Sequence, residues 1–182
     1  MSPPQNNLDA QSDAIRILDG HRTMAIATNR PDGWPQNTIV GYANVGLLIY
    51  FMVFQTSQKL ANISKDPRVA IAVGDEPADL RTLEAIYAAA FAAQVLDPGE
   101  REIAWKLLTE RHPNLSDYQL PESGEAAIIR TLCKHVSVLN YRKHFGRQIE
   151  FAVEDARPPE ASIAKANPAV AQEQSKSRSP PS

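Results

Sequence analysis

Apolar positions along this chain come in short runs divided by turn residues, a spacing that predicts strands joined by tight turns. TMAIATN (23–29) reads as a buried strand. Asp32-Gly33 in the following RPDGWP is a tight-turn pair, and WPQNTIVGYA (34–43) is the returning strand. Residues 44–46 turn the chain into GLLIYFMVF (46–54), and RVAIAVG (68–74) is a fourth strand. LEAIYAAAFAAQVL (83–96) suits a helix or a strand by composition. It is read as a strand because Asp97-Pro98-Gly99 opens a better helix directly after it. That helix (98–112) has Pro at N1 and early acids, with Ile103, Trp105 and Leu107 on or near one face. A first helix precedes the strands, with Leu8, Ile15 and Leu18 on one face, Asp9 or Ser12 as its cap and Gly20 at its end. TSQKLANISKD (56–66) is a third helix, stopped by Pro67. AAIIRTL (126–132) and HVSVLNYR (135–142) read as two further strands, and QIEFAV (148–153) as a short last one.

Six or seven strands, mostly joined by tight turns, together with three helices predict a closed barrel or sandwich that the helices plug or flank. The ends differ from this body. Residues 1–11 are expected to be disordered, residues 12–156 to form one domain, and residues 157–182 to be a flexible tail. The tail is almost entirely Pro, Ser, Ala and charge, and cannot bury enough apolar area to offset its ordering entropy.

Composition narrows the function classes. The 182 residues carry 19 basic and 21 acidic side chains, so no electrostatic footprint for nucleic acid is present. The longest wholly apolar run, AIYAAAFAA, has nine residues and is too short to span a bilayer. MSPPQNNLDAQSD has neither the basic start nor the apolar core of a signal peptide, so the cytoplasm is the expected location. Cys133 is the single cysteine, and His21, His112, His135 and His144 have no paired-ligand spacing, so no metal site is expected. Fingerprints of serine hydrolases, P-loop enzymes and dinucleotide binders are missing too.

The stretch FQTSQKLANI (54–63) carries candidate chemistry. A strand ends here and a helix begins, with Gln55, Thr56, Ser57, Gln58 and Lys59 at the junction. A helix start offers unpaired N–H groups and a positive dipole end, which together favour an anion. Hydroxyls from Thr56 and Ser57, the Gln55 amide and the Lys59 charge would complete a phosphate seat. Simple N-capping by Thr or Ser accounts for the same residues, and from the stretch alone it comes first.

The order of the elements tips that balance. A strand, a DG turn, a strand and then Tyr50-Phe51, Ser57-Gln58-Lys59, Asn62-Ile63 and Asp66-Pro67-Arg68-Val69-Ala70 resembles the split-barrel flavoproteins of the pyridoxamine 5′-phosphate oxidase-like superfamily. VSVLNYRKHFG (136–146) resembles the closing strand of many members. The resemblance spans roughly residues 12 to 152 and implies a six-stranded antiparallel split β-barrel with flanking helices. It further implies a homodimer with FMN at the interface and a small-molecule substrate; relatives also use deazaflavin or haem. By motif, Ser57 and Lys59 match positions that hold the FMN phosphate. Thr38, Ile39, Val40 and Gly41 match the strand that lines the isoalloxazine ring, and Met52 and Val53 fall on the strand beside it.

The chain departs from the authentic oxidase in specific places. Where that enzyme has an arginine, this chain has Thr38; where it has a lysine, Ala43; and where it tends to have another arginine, Gln58. The oxidase's C-terminal tryptophan and arginine motif has no match. Many FMN-binding relatives also carry an arginine near Gln55 and a threonine or serine near Val53. Lys59 is left as the one clear phosphate cation, with Arg22 or Arg68 as helpers. Vitamin B6 oxidation is therefore not expected. An NAD(P)H-dependent FMN oxidoreductase is, with a non-catalytic flavin-binding or sensing module as the alternative.

Overall fold

The computed structural model describes residues 5–115, 117–122 and 124–153. The expected tail from Arg157 lies outside these residues. In chain order the elements are α1 (Gln5–Gly20), β1 (Thr23–Asn29), β2 (Pro35–Val45), β3 (Leu48–Phe54), α2 (Gln58–Lys65), β4 (Arg68–Gly74), β5 (Glu84–Gln94), α3 (Pro98–Arg111), β6 (Ala126–Asn140) and β7 (Gln148–Ala152). The strands pair antiparallel in the order β3-β2-β1-β4-β5-β6, and β6 pairs back onto β3, so six strands close a barrel. β7 adds to the far half of β6.

Closure follows from the strict alternation of the strands. Met24 and Ile26, Ile49, Phe51 and Val53, and Val69, Ile71 and Val73 send every second side chain into one shared core. The two runs 126–132 and 135–142 are one strand rather than two. Ala90 pairs with Cys133 while Ala89 pairs with His135, so Lys134 is an extra residue at a bulge. Inward positions shift there from Cys133 to Val136, and the strand bends. Its first half faces β3 and its second half faces β7.

Three readings of the first helix need correction. α1 begins at Gln5, inside the stretch expected to be disordered, and Ala10 is buried in the core. Asp9 and Ser12 lie within this helix and do not cap it. Its buried stripe is Ala10, Ala14, Ile17 and Leu18, whereas Leu8 is exposed. Polar groups hold α1 at its middle and at its C-terminal end. The buried Asp13 carboxylate accepts from Lys143 Nζ at 2.9 and 2.8 Å. Arg111 Nη1 donates to the carbonyls of Leu18, Asp19 and His21 at 3.1, 3.0 and 2.6 Å. The Leu18 and Asp19 carbonyls lie in the last turn, where a helix leaves them without intrahelical partners.

α3 starts as its sequence predicts. Asp97 caps it, with Oδ1 accepting from Glu100 N at 2.8 Å, and Pro98 follows. The helix packs across β2, β3 and β6. Beneath it Leu48, Tyr50, Val95, Ala104 and Ile128 form a second apolar cluster. Among the described residues no helix is long and apolar enough to cross a membrane.

Cys133 lies in mid-strand rather than between strands and is fully buried, and burial pushes its thiol up to about 12. The unfolded thiol ionises near 8.5, so the stability tied to the protonated buried thiol is present below that pH and is lost as pH rises toward 12. At pH 8 the native protein should leave a chromogenic disulfide reagent unreacted, and the urea-unfolded chain should release one equivalent. Rapid reaction of the native form would show that the barrel wall opens at Cys133.

Candidate functional site

The barrel is split at one seam. β2 pairs with β1 over Pro35–Gly41, but with β3 only over Tyr42–Val45. Beyond the rung between Tyr42 and Phe51 the two strands part, and β3 continues against β6 to Phe54. Among the described residues, no strand pairs with the other edge of residues 35–41. In an antiparallel ladder successive residues alternate their backbone groups between the two edges. This edge therefore presents N–H and C=O groups to the split.

α2 lies at the end of the same seam. Ser57 is its N-cap, with its Oγ accepting from Lys59 N at 3.2 Å. Asn62, fully buried on this helix, fixes where it sits. Its Nδ2 donates to Thr28 Oγ1 at 3.0 Å and to Gln36 Oε1 at 3.1 Å, and its Oδ1 accepts from Gln58 Nε2 at 2.9 Å. One carboxamide thus ties the first turn of α2 to β1 and to the start of the unpaired stretch of β2.

Lys59 is half-buried, and burial alone pulls its amine below the usual lysine range. No neighbouring carboxylate contributes to that shift. A desolvated ammonium in the first turn of a helix, without a counter-charge among the described residues, fits an anion. Arg68 does not serve as a helper: its guanidinium is held by Asp66 at 2.9 and 2.7 Å. Thr56 and Gln58 are exposed, and Gln55 N donates to Glu125 O at 3.0 Å.

The remaining sequence-predicted residues divide by strand alternation. Ile39 and Gly41 face outward and Met52 is partly exposed on the outer face of β3. Val40 packs against the core, and Val53 is 7% exposed within it, so neither offers its side chain to a ligand on the outer face. Thr38 points inward with Ile26, its partner on β1, and its Oγ1 is buried without a hydrogen-bond partner among the described residues. Where the authentic oxidase carries a lysine, Ala43 is 2% exposed. No cation therefore reaches the site from Thr38 or Ala43.

His112 joins the site without any local sequence signal. It caps the C-terminus of α3, and its Nε2–H donates to Tyr42 O at 3.0 Å. A Cβ on Gly41 would meet the His112 ring at 3.0 Å, so glycine is what lets the imidazole rest on β2. Phe54 is a second residue that the sequence left unmarked. It is 71% exposed, and its carbonyl accepts from Ser57 N at 2.9 Å as the chain turns into α2. Trp34, beside the DG turn, is 72% exposed and does not pack on the core.

This architecture defines a split-barrel protein, closed by six strands and parted at the β2–β3 seam. A family model described as Pyridoxamine 5′-phosphate oxidase matches residues 11–140, and the chain belongs to that family. The fold is similar to the heme binding protein from Mycobacterium smegmatis, with 17% identity over 96% of this chain and 70% of that one at a TM-score of 0.66. It is also similar to a conserved hypothetical protein from Mycobacterium tuberculosis, with 19% identity over 85% of this chain and 95% of that one at a TM-score of 0.64. General Stress Protein 26 from Bacillus anthracis is similar at 16% identity over 79% of this chain and 98% of that one, with a TM-score of 0.59. No curated protein matches the chain.

Asn62→Ala should destabilise the fold by about 1–3 kcal/mol, because it leaves buried partners at Thr28 and Gln36 unsatisfied. Urea unfolding measures this, and a loss under half a kcal/mol would show that α2 is held by its apolar contacts alone.

Proposed function

We propose that the chain binds FMN along the split, with the phosphate at the start of α2 and the isoalloxazine ring beside the unpaired edge of β2. The observation that carries this reading is the half-buried Lys59 amine, which has no counter-charge among the described residues. Ser57, Thr56 and the first N–H groups of α2 would complete the phosphate seat. Backbone groups of residues 38–41 would meet the polar edge of the ring, while the Thr38 side chain faces the barrel interior. When bound, the flavin supplies redox chemistry between a reduced nicotinamide and a small acceptor. The protein's part is to orient the ring, shield one face from water and balance the phosphate charge. Ser57 serves as helix cap under either reading, so the cap does not argue against the seat.

The likeness to a heme binding protein supports a second ligand reading, and an absorption spectrum separates haem from flavin or deazaflavin. A non-catalytic flavin-binding module remains the alternative in activity. Bleaching of the bound flavin by NADH or NADPH selects the oxidoreductase.

The chain is also proposed to act as a homodimer that covers the flavin site. On the outside of the barrel Ala25, Ala27, Ala70, Ala72 and Ala89 floor an open trough of about 460 Å³. Tyr87 lines it, and Phe91 is exposed on the same face of β5. An apolar concavity of this kind favours association. Light scattering at micromolar concentration should give twice the chain mass of 20.0 kDa. A monomer mass would overturn the dimer and an interface site with it.

Lys59→Ala should weaken FMN by roughly ten- to hundredfold, from the about 1.5–3 kcal/mol of a charged hydrogen bond. It should leave riboflavin, which lacks the phosphate, nearly unchanged. Fluorescence-quenching titrations with both flavins test this. Equal losses, or no loss, would reduce Lys59 to a solvated side chain.

A further inference from the structure

Resting on that reading, we propose that Phe54 and Ile39 are the two apolar lips that hold the planar ring of the ligand in the split. The last rung between β2 and β3 joins Tyr42 to Phe51. Continuing its register would set Gly41 against Met52 and Ile39 against Phe54, but the strands separate before these pairs form. Ile39 and Phe54 therefore lie on the two strands that border the opening, both on the outer face. They are 69% and 71% exposed, although large apolar side chains at matched cross-strand positions normally bury one another.

What fills such a gap must supply what the missing strand pairing would have supplied. It needs a flat apolar body to lie between the two side chains. It also needs an edge of donors and acceptors for the backbone groups of β2. The anion seat begins at Ser57, three residues beyond Phe54, and Phe54 O is bonded to Ser57 N. One end of the occupant is therefore a planar heteroaromatic ring and the other an anion, joined by a chain long enough to round the end of β3. At the inner end of the slot the imidazole of His112, seated on Gly41, stops the ring from sliding further along β2.

Phe54 acts on the ring and Lys59 on the phosphate, so their variants separate. Phe54→Ala should weaken FMN and riboflavin by the same factor, about three- to tenfold, as expected for one lost aromatic contact. Phe54→Trp should restore both. Ile39→Ala should likewise weaken both flavins equally. Melting temperature should hold, since both side chains are exposed. Flavin titrations of these variants, with light scattering alongside, decide the matter. Wild-type flavin affinities in Phe54→Ala would overturn the proposal while leaving the flavin site intact. A fall to monomer with unchanged flavin affinity would overturn it too, and would assign these side chains to contact with a second copy. If the unmodified chain quenches neither flavin, the flavin reading itself fails and this inference falls with it.

Discussion

The carboxamide of Asn62 sends both of its protons into the end of the barrel, one to Thr28 and one toward Gln36. A fully buried amide with those partners leaves α2 little freedom to tilt or slide, because moving it would strand polar groups away from water. Everything proposed for the site rests on that placement. It brings the N-terminus of α2, with Ser57 and Lys59, to the open end of the seam between β2 and β3. It also keeps Lys59 half-buried, which is why its amine is desolvated. The same amide accepts from Gln58, so the first turn of the helix is held from within the helix as well.

The seam itself is a consequence of strand length and turn position. Only four residues of β2, Tyr42–Val45, pair with β3 before the turn at Gly46, so the hairpin zips briefly and opens. β3 then completes its pairing with β6, and β2 with β1, leaving one edge of each without the other. α3 covers the closed part of this hairpin, where Leu48 and Tyr50 are buried, and ends at His112 over Gly41. The open part is thus bounded by a helix end on one side and a helix start on the other. It is a place for a ligand with one apolar and one charged end.

Much of this was legible residue by residue. TMAIATN and RVAIAVG give β1 and β4 with no shift in their limits, because alternation and flanking turns agree. The junction at 56–59 was readable because a cap, a lysine and an upstream apolar run are all local features. What escaped was non-local or depended on facing. Alternation within β2 and β3 sends the Val40 and Val53 side chains into the core, a facing that a motif of consecutive residues does not convey. β6 read as two strands because the bulge at Lys134 shifts the alternation in mid-strand. The start of α1 was missed because its buried face at that end is alanine, small enough to look like linker composition. His112 reaches β2 from a helix some seventy residues away, and no spacing in the sequence announces it.

The central claim is that the split holds a flavin whose phosphate lies at α2. The purified chain can be mixed with excess FMN, passed through gel filtration and examined by visible absorption. Flavin bands co-eluting with the protein at one flavin per chain are the predicted result. A colourless protein peak, with all the FMN in the small-molecule volume, would contradict the account.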